Sequence, residues 1–307
     1  MSAPGVRMGG TAPPAPGTAR RPCCCHNSGA FLPRSGPVPR MSESSLPATR
    51  DAGGALRWFR YLYRVPLLLV HLTVCLPITM LCVVAPPLAR IRTGRDDTLD
   101  ERMIRWWQGT LMRIFGFRLR RFGTPLPGAT LFVANHVSWV DISMLHSQRV
   151  MGFVAKREIA GWPLVGWLAT KGQTIFHQRG NTESLGGVLQ EMLLRLRSGK
   201  PVGVFPEGRT RGGTEVGPFH ARIFQAAVEA GVPVQPVALR YGERGNAQAV
   251  VAFGERESFF ANIVRLLGER SRLAEVHFLE PIGALDIDGR RRLADTSRQR
   301  ILAAMES

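Results

Sequence analysis

Between residue 117 and residue 307, strand-length apolar runs alternate with segments of helical length. This alternation constrains the fold more than any other feature of the chain. The strand-like runs are Thr130–Asn135, Val150–Ala155, Gly172–His177, Pro201–Pro206, Val232–Arg240, Ala247–Phe253 and Ala274–Leu279. The intervening segments 139–147, 158–170, 181–198, 219–230, 256–269 and 288–305 have helical length and spacing. Strands joined through helices pair most simply as parallel neighbours, because the crossover needs about a dozen residues or more. The pattern therefore predicts an α/β domain over 117–307, a mostly parallel mixed sheet flanked by helices on both sides.

Three of these runs end abruptly in polar residues. Asn135-His136 follows LFVA, His177-Gln178-Arg179 follows QTIF, and Glu207-Gly208-Arg209 follows VGVFP. Ligands of open α/β sheets sit beyond the carboxyl ends of the strands. If the strands run parallel, the three clusters share one edge and can converge. Within the first cluster, Ser138 and Asp141 have the spacing of a capping box, which predicts a helix start just after His136. A carboxylate one short turn from an imidazole is also a general-base arrangement. A plain helix cap beside an ordinary loop histidine explains the same spacing. Arg179 is suited to bidentate contact with phosphate, and equally to a solvated loop. Glu207 can bind a substrate hydroxyl or form an ion pair.

Upstream, residues 1–50 are rich in Pro, Gly, Ser, Ala and Arg without apolar periodicity, and read as a disordered tail. Val65–Ala89 then runs about 25 residues without a formal charge. As a helix it extends roughly 37 Å, enough for a hydrocarbon core of about 30 Å. Pro77 and Pro86–Pro87 predict a kink or a turn back to the same surface. Arg57, Arg60 and Arg64, interleaved with Trp58, Tyr61 and Tyr63, precede this run, and arginines follow it, as at a membrane interface. Residues 98–116 carry helical apolar spacing with Trp106 and Trp107 among arginines. The segment 51–116 is therefore expected to be helical and membrane-associated, suited to an anionic surface.

The net charge of +17 comes almost wholly from arginine, with lysine only at 156, 171 and 200. It favours anionic partners, but a skew so strongly toward arginine fits a nucleotide-composition bias as well as a ligand, which weakens the inference to nucleic acid. Cys23, Cys24, Cys25, Cys75 and Cys82 form no CxxC spacing, so neither a metal site nor a disulfide framework is expected. There is no GxGxxG after a strand, no GxxxxGK[ST], no HExxH and no GxSxG. Dinucleotide, P-loop, zincin and α/β-hydrolase chemistry lose support accordingly.

Asn135-His136-Val137-Ser138-Trp139-Val140-Asp141 resembles the NHxSxxD motif of the glycerolipid acyltransferases, particularly the 1-acylglycerol-3-phosphate acyltransferases. Residues 172–179 are similar to their second motif, which ends in a phosphate-binding arginine. Phe205-Pro206-Glu207-Gly208 resembles the third motif and residues 232–237 the fourth. Arg209-Thr210-Arg211 stands where the family usually has Thr-Arg-Ser, a departure on the acceptor side.

The resemblance implies an O-acyltransferase taking acyl groups from acyl-CoA or acyl-carrier protein, with no other cofactor. The acceptor would be a lysophospholipid, most simply 1-acylglycerol 3-phosphate, with lyso-ornithine lipid or glycerol 3-phosphate as alternatives. His136 and Asp141 would be catalytic. Asn135, Ser138, Arg179, Glu207, Gly208 and Arg209 would meet substrate. Such an enzyme would sit on a bacterial inner membrane with its catalytic domain on the cytoplasmic side. A rival of another class is a basic membrane-tethered binding protein without catalysis.

Overall fold

A computed structural model describes residues 53–94, 97–161, 166, 174–177, 182–210, 212–213, 215–283 and 289–307. Seven strands form one sheet in the order β1-β7-β6-β2-β5-β3-β4. They are β1 (Phe117–Phe122), β2 (Leu131–Ala134), β3 (Gly152–Lys156), β4 (Ile175–His177), β5 (Val202–Val204), β6 (Val234–Tyr241) and β7 (Arg272–Phe278). β2 to β6 run parallel to one another. β7 pairs antiparallel with β6, and β1 runs parallel with β7. The sheet is thus mostly parallel, and the carboxyl ends of β2, β4, β5 and β6 share one edge.

The central strands are buried on both faces, as a helix-covered parallel sheet requires. All four residues of β2 and all eight of β6 are buried. Side chains alternate between two cores: Phe132, Ala134, Val237, Leu239 and Tyr241 face one, and Leu131, Val133 and Val234 the other. Arg240 and Glu275 lie directly opposite across β6 and β7 and form a buried ion pair at 2.7 Å.

The first core is covered by α1 (Gly54–Val70), α2 (Leu76–Val84), α4 (Leu99–Ile114) and α5 (Val140–Gln148), with α3 (Pro86–Ala89) between α2 and α4. α1 and α2 are joined by a π-helical turn, His71–Cys75. Pro77 removes a backbone donor and crowds the carbonyl four residues back, and the widened turn just before it accommodates both without ending the helix. The apolar run therefore forms one helical stretch, Gly54–Val84. It does not turn back at Pro77. One stripe, carrying Arg64, His71, Leu76 and Thr79, is buried against the domain. The opposite stripe, including Leu62, Leu69, Val74, Ile78 and Leu81, is exposed and apolar.

The arginines expected at a lipid interface divide in the structure. Arg64 is buried and donates to the carbonyls of Leu267 and Glu269, while Arg60 donates to that of Gly268. These are bolts between α1 and the domain; the remaining Arg64 donors meet hydroxyls, Nε that of Tyr63 at 3.1 Å and Nη2 that of Ser271 at 3.3 Å. On α4, Trp107 is buried and stacks on His71 at 4.8 Å, whereas Trp106 is half exposed.

Two sequence expectations fail here. Ala247–Phe253 is no strand; it holds a short helix, Gln248–Val251. Both edges of β6 are already paired, and Ala247, Val250 and Val251 reach the core at helical spacing. Conversely, Phe117–Phe122 is an edge strand that its arginines disguised.

Candidate active site

Asp141 lies in the first turn of α5 and is fully buried. One carboxylate oxygen, Oδ2, accepts from His136 Nδ1 at 2.7 Å and from the backbone N–H groups of Val137 and Ser138 at 2.6 and 2.9 Å. The other, Oδ1, accepts from the Tyr241 hydroxyl at 2.6 Å. A carboxylate only accepts, so the imidazole proton facing it sits on Nδ1 and Nε2 is left as the lone-pair nitrogen. Burial, and next the charge of Asp141, push the Tyr241 phenol well above its usual range, so it remains a donor.

The ring of His136 is fixed on its face as well. It stacks at 4.0 Å on Phe205, which stacks in turn on Phe153 at 5.6 Å. Its backbone N–H donates to Glu207 Oε1 at 2.8 Å, and Glu207 Oε2 accepts from Gly217 N–H at 2.8 Å. Asn135 joins the end of β2 to β6. Its side-chain amide donates to the Leu239 carbonyl at 3.0 Å, and its oxygen accepts from the Leu239 N–H at 2.8 Å. An imidazole so held, with one nitrogen oriented by a buried carboxylate and the other without a partner among the described residues, can take a proton from a hydroxyl.

A lyso-ornithine lipid O-acyltransferase of Pseudomonas aeruginosa is 38% identical over 214 residues, covering 69% of this chain and 82% of that protein. The chain belongs to the acyltransferase family. The family pattern described as acyltransferase matches residues 123–240, from the end of β1 nearly to the end of β6. A 1-acyl-sn-glycerol-3-phosphate acyltransferase of Neisseria meningitidis is 29% identical, covering 69% of this chain and 84% of that protein. Among solved structures, the crystal structure of the 1-acyl-sn-glycerophosphate acyltransferase PlsC from Thermotoga maritima superposes with a TM-score of 0.59. It shares 18% identity, over 81% of this chain and 95% of that one, and so supports the fold.

In this acyltransferase His136, Asn135 and Glu207 line a cleft of about 360 Å³ together with Arg298, Leu302 and Met305 of the helix Gly289–Glu306. Arg298 reaches the loop beside the site, donating from Nε to the Gly217 carbonyl and from Nη2 to the Val216 carbonyl, both at 2.7 Å. A chain of hydrogen bonds therefore runs from Arg298 through Gly217 and Glu207 to the backbone of His136.

The remaining expected site residues fall in different places. Ser138 is buried, and its hydroxyl accepts from Val140 N–H at 3.2 Å. The reciprocal arm of the capping box, Asp141 back to Ser138 N–H, is formed; the serine arm closes one residue earlier than the spacing predicted. Gly208 has φ +71° with the His220 ring 3.3 Å from where a Cβ would stand, so any side chain there is strained. Arg209 is exposed. Arg179 lies outside the described residues. Among the described residues no group of three His, Cys, Asp or Glu side chains could hold a metal ion.

Sequence reasoning missed Tyr241, Phe205, Gly217 and Arg298. Phe205 stood in the third motif at a strand end, and Tyr241 carried a signal as a hydroxyl just past the predicted strand Val232–Arg240 on the shared edge.

Proposed function

We propose that this enzyme transfers a fatty acyl group directly from an acyl thioester, acyl-CoA or acyl-carrier protein, to the free hydroxyl of a lysolipid. The observation that carries this reading is the Asp141-held imidazole of His136, whose ring lines a cleft and whose Nε2 has no hydrogen-bond partner among the described residues. Nε2 takes the hydroxyl proton as the oxygen attacks the thioester carbonyl. The carbon–sulfur bond breaks, and the imidazolium returns the proton to the leaving thiolate, so ester and free thiol are the products. Asp141 stabilises the imidazolium between the two steps. Arg179, Glu207, Gly208 and Arg209 are inferred to meet the acceptor, Arg179 at a phosphate. A binding protein without catalysis would have no use for the buried carboxylate behind the histidine.

For the acceptor we infer 1-acylglycerol 3-phosphate, giving phosphatidic acid. The 38% identity to a lyso-ornithine lipid enzyme, against 29% to the Neisseria enzyme, favours lyso-ornithine lipid as a second reading. The apolar outer stripe of Gly54–Val84 supports attachment to a membrane, in a bacterium the cytoplasmic side of the inner membrane. Assaying purified enzyme with both lysolipids and both donor types tests the proposal. Transfer to neither lysolipid from either donor would refute it.

Two further outcomes follow from the geometry. Ser138→Ala should retain turnover, since Ser138 caps a helix and transfer passes through no acyl-enzyme. The lost cap should cost about 0.5–2 kcal/mol, read by thermal unfolding. An acyl group trapped on Ser138 by mass spectrometry, with donor alone, would contradict direct transfer. Arg298→Ala should lower kcat by up to about 10²-fold through misplacement of Glu207 and His136. Arg298→Lys should recover part of the loss. Steady-state kinetics on both variants checks this, and an unchanged kcat in Arg298→Ala would show the loop holds without the guanidinium.

A further inference from the structure

The helix Phe259–Gly268 belongs to none of the machinery above, yet it displays large apolar side chains to solvent. Phe260 is 71% exposed and Val264 55%. Ten residues reach only about 15 Å, far too short to span a bilayer, so an apolar outer face of this kind suits the plane of an interface. Its inner face is fixed to the domain. Asn262, Leu266 and Leu267 are buried, and Ser258 caps its start by accepting from Ala261 N–H at 3.2 Å.

The neighbours of this helix say what should cover it. On one side it joins the exposed stripe of α1. Trp58, itself 74% exposed, packs edge-on against Tyr61 at 5.9 Å, and the Tyr61 hydroxyl donates to the Val264 carbonyl at 2.9 Å. On the other side it reaches the catalytic loop. Phe260 packs on Phe259 at 5.7 Å, and Phe259 on Trp139 at 5.9 Å. The Trp139 indole N–H donates to Asn262 Oδ1 at 2.9 Å. Trp139 is three residues beyond His136. Aromatic contacts therefore lead from Phe260 to Trp139, the residue that opens α5, and the Tyr61 hydroxyl ties the same helix to α1. Exposed arginines, Arg256 and Arg270, stand just outside its two ends, with Glu255 the exposed acid nearby. Glu257 is neutralised by Arg265 at 2.7 Å.

We propose that Phe259–Gly268 is a second bilayer contact, lying in the acyl–headgroup boundary with Phe260 and Val264 in lipid, and that it brings the catalytic loop to the membrane surface where a lysolipid acceptor resides. This rests on the membrane attachment proposed for α1. The occupant is lipid because the patch continues the stripe already assigned to lipid and is flanked by cations, which an anionic headgroup layer attracts.

The test uses full-length enzyme with its five cysteines replaced by alanine and one environment-sensitive dye at a time, on Phe260→Cys, Val264→Cys, Leu62→Cys or Leu194→Cys. Leu62 reports α1. Leu194 is exposed on the helix Thr182–Arg197, across the sheet. With vesicles of phosphatidylethanolamine and phosphatidylglycerol, dyes at 260, 264 and 62 should shift to the blue and be quenched by brominated lipid, while 194 stays unchanged. A response at 62 without one at 260 and 264 overturns the inference and leaves the anchor standing. No response at any position removes the anchor and this inference together. Dyes at 260 and 264 shielded before vesicles are added, in protein that elutes as a dimer, would assign the face to a second copy and overturn it as well. In parallel, Phe260→Glu with Val264→Glu should reduce transfer to acceptor held in vesicles about tenfold or more, and leave transfer to the same acceptor in detergent micelles unchanged. Equal losses in both would show that the helix acts on the fold of the site, which also overturns the inference.

Discussion

His136→Ala should remove acyl transfer while leaving the fold standing. The enzyme loses the group that takes the hydroxyl proton, a contribution on the order of 10²–10⁴-fold in rate. The cost to stability should be small for a buried site, because Asp141 keeps its other donors. Val137 N–H, Ser138 N–H and the Tyr241 hydroxyl still point at the carboxylate, so no unpaired charge is left in the core. What is lost is one charge-assisted hydrogen bond and the ring stack on Phe205, worth about 1.5–3 kcal/mol together with partial refilling by water. Turnover with excess donor and acceptor, alongside thermal unfolding, measures both. Residual activity close to that of the unaltered enzyme would mean that His136 only packs, and the mechanism proposed for this site would fall.

The part of the site that could be read from sequence is the part built locally. His136 and Asp141 are five residues apart, and a strand end followed by a helix start brings such residues together whatever the rest of the chain does. Glu207 was placed correctly at the edge because β5 runs parallel to β2, which the helices between strands make the natural topology. Its bonding was not legible. The spacing offered a substrate hydroxyl or an arginine, whereas both carboxylate oxygens accept backbone N–H groups, one of them from a loop ten residues on.

Contacts set by sheet order were beyond the reach of pattern. Tyr241 meets Asp141 across 100 residues because β6 lies beside β2, an adjacency that no local spacing encodes. Arg298 is one arginine among many, and only its bonds to the Val216 and Gly217 carbonyls distinguish it. In β1 the alternation of Phe117 and Leu119 with Arg118 and Arg120 was a genuine period-two signal. An edge strand with one wet face can be as charged as a loop, which masks that signal. Ala247–Phe253 shows the converse error. Short apolar runs fit a strand and a helical turn equally, and the sheet had no free edge to offer this one.

The two substitutions at Asp141 should separate its two duties. Asp141→Asn keeps the shape of the side chain. With its oxygen in the place of Oδ2, it still accepts from His136 Nδ1 and from the N–H groups of Val137 and Ser138. Its amide then faces the Tyr241 hydroxyl, which can accept instead of donating. The histidine tautomer and the helix start should therefore survive, and the negative charge is what disappears. Without it the imidazolium formed during transfer is no longer stabilised in a dry setting where a charge counts for far more than in water. The expected result is a loss of kcat on the order of 10²–10³-fold, with donor and acceptor KM little changed. Unfolding should cost at most about 1–2 kcal/mol more than nothing, the difference between charged and neutral hydrogen bonds. Asp141→Ala removes acceptor and charge together. Two backbone donors and a phenol, all buried, are then left without a partner, at about 1–3 kcal/mol each. That variant should be as inactive as Asp141→Asn and also much less stable. Steady-state kinetics and thermal unfolding on both variants decide the matter. If Asp141→Asn turned over like the unaltered enzyme while Asp141→Ala merely unfolded, the carboxylate would be a helix cap and no partner to the base.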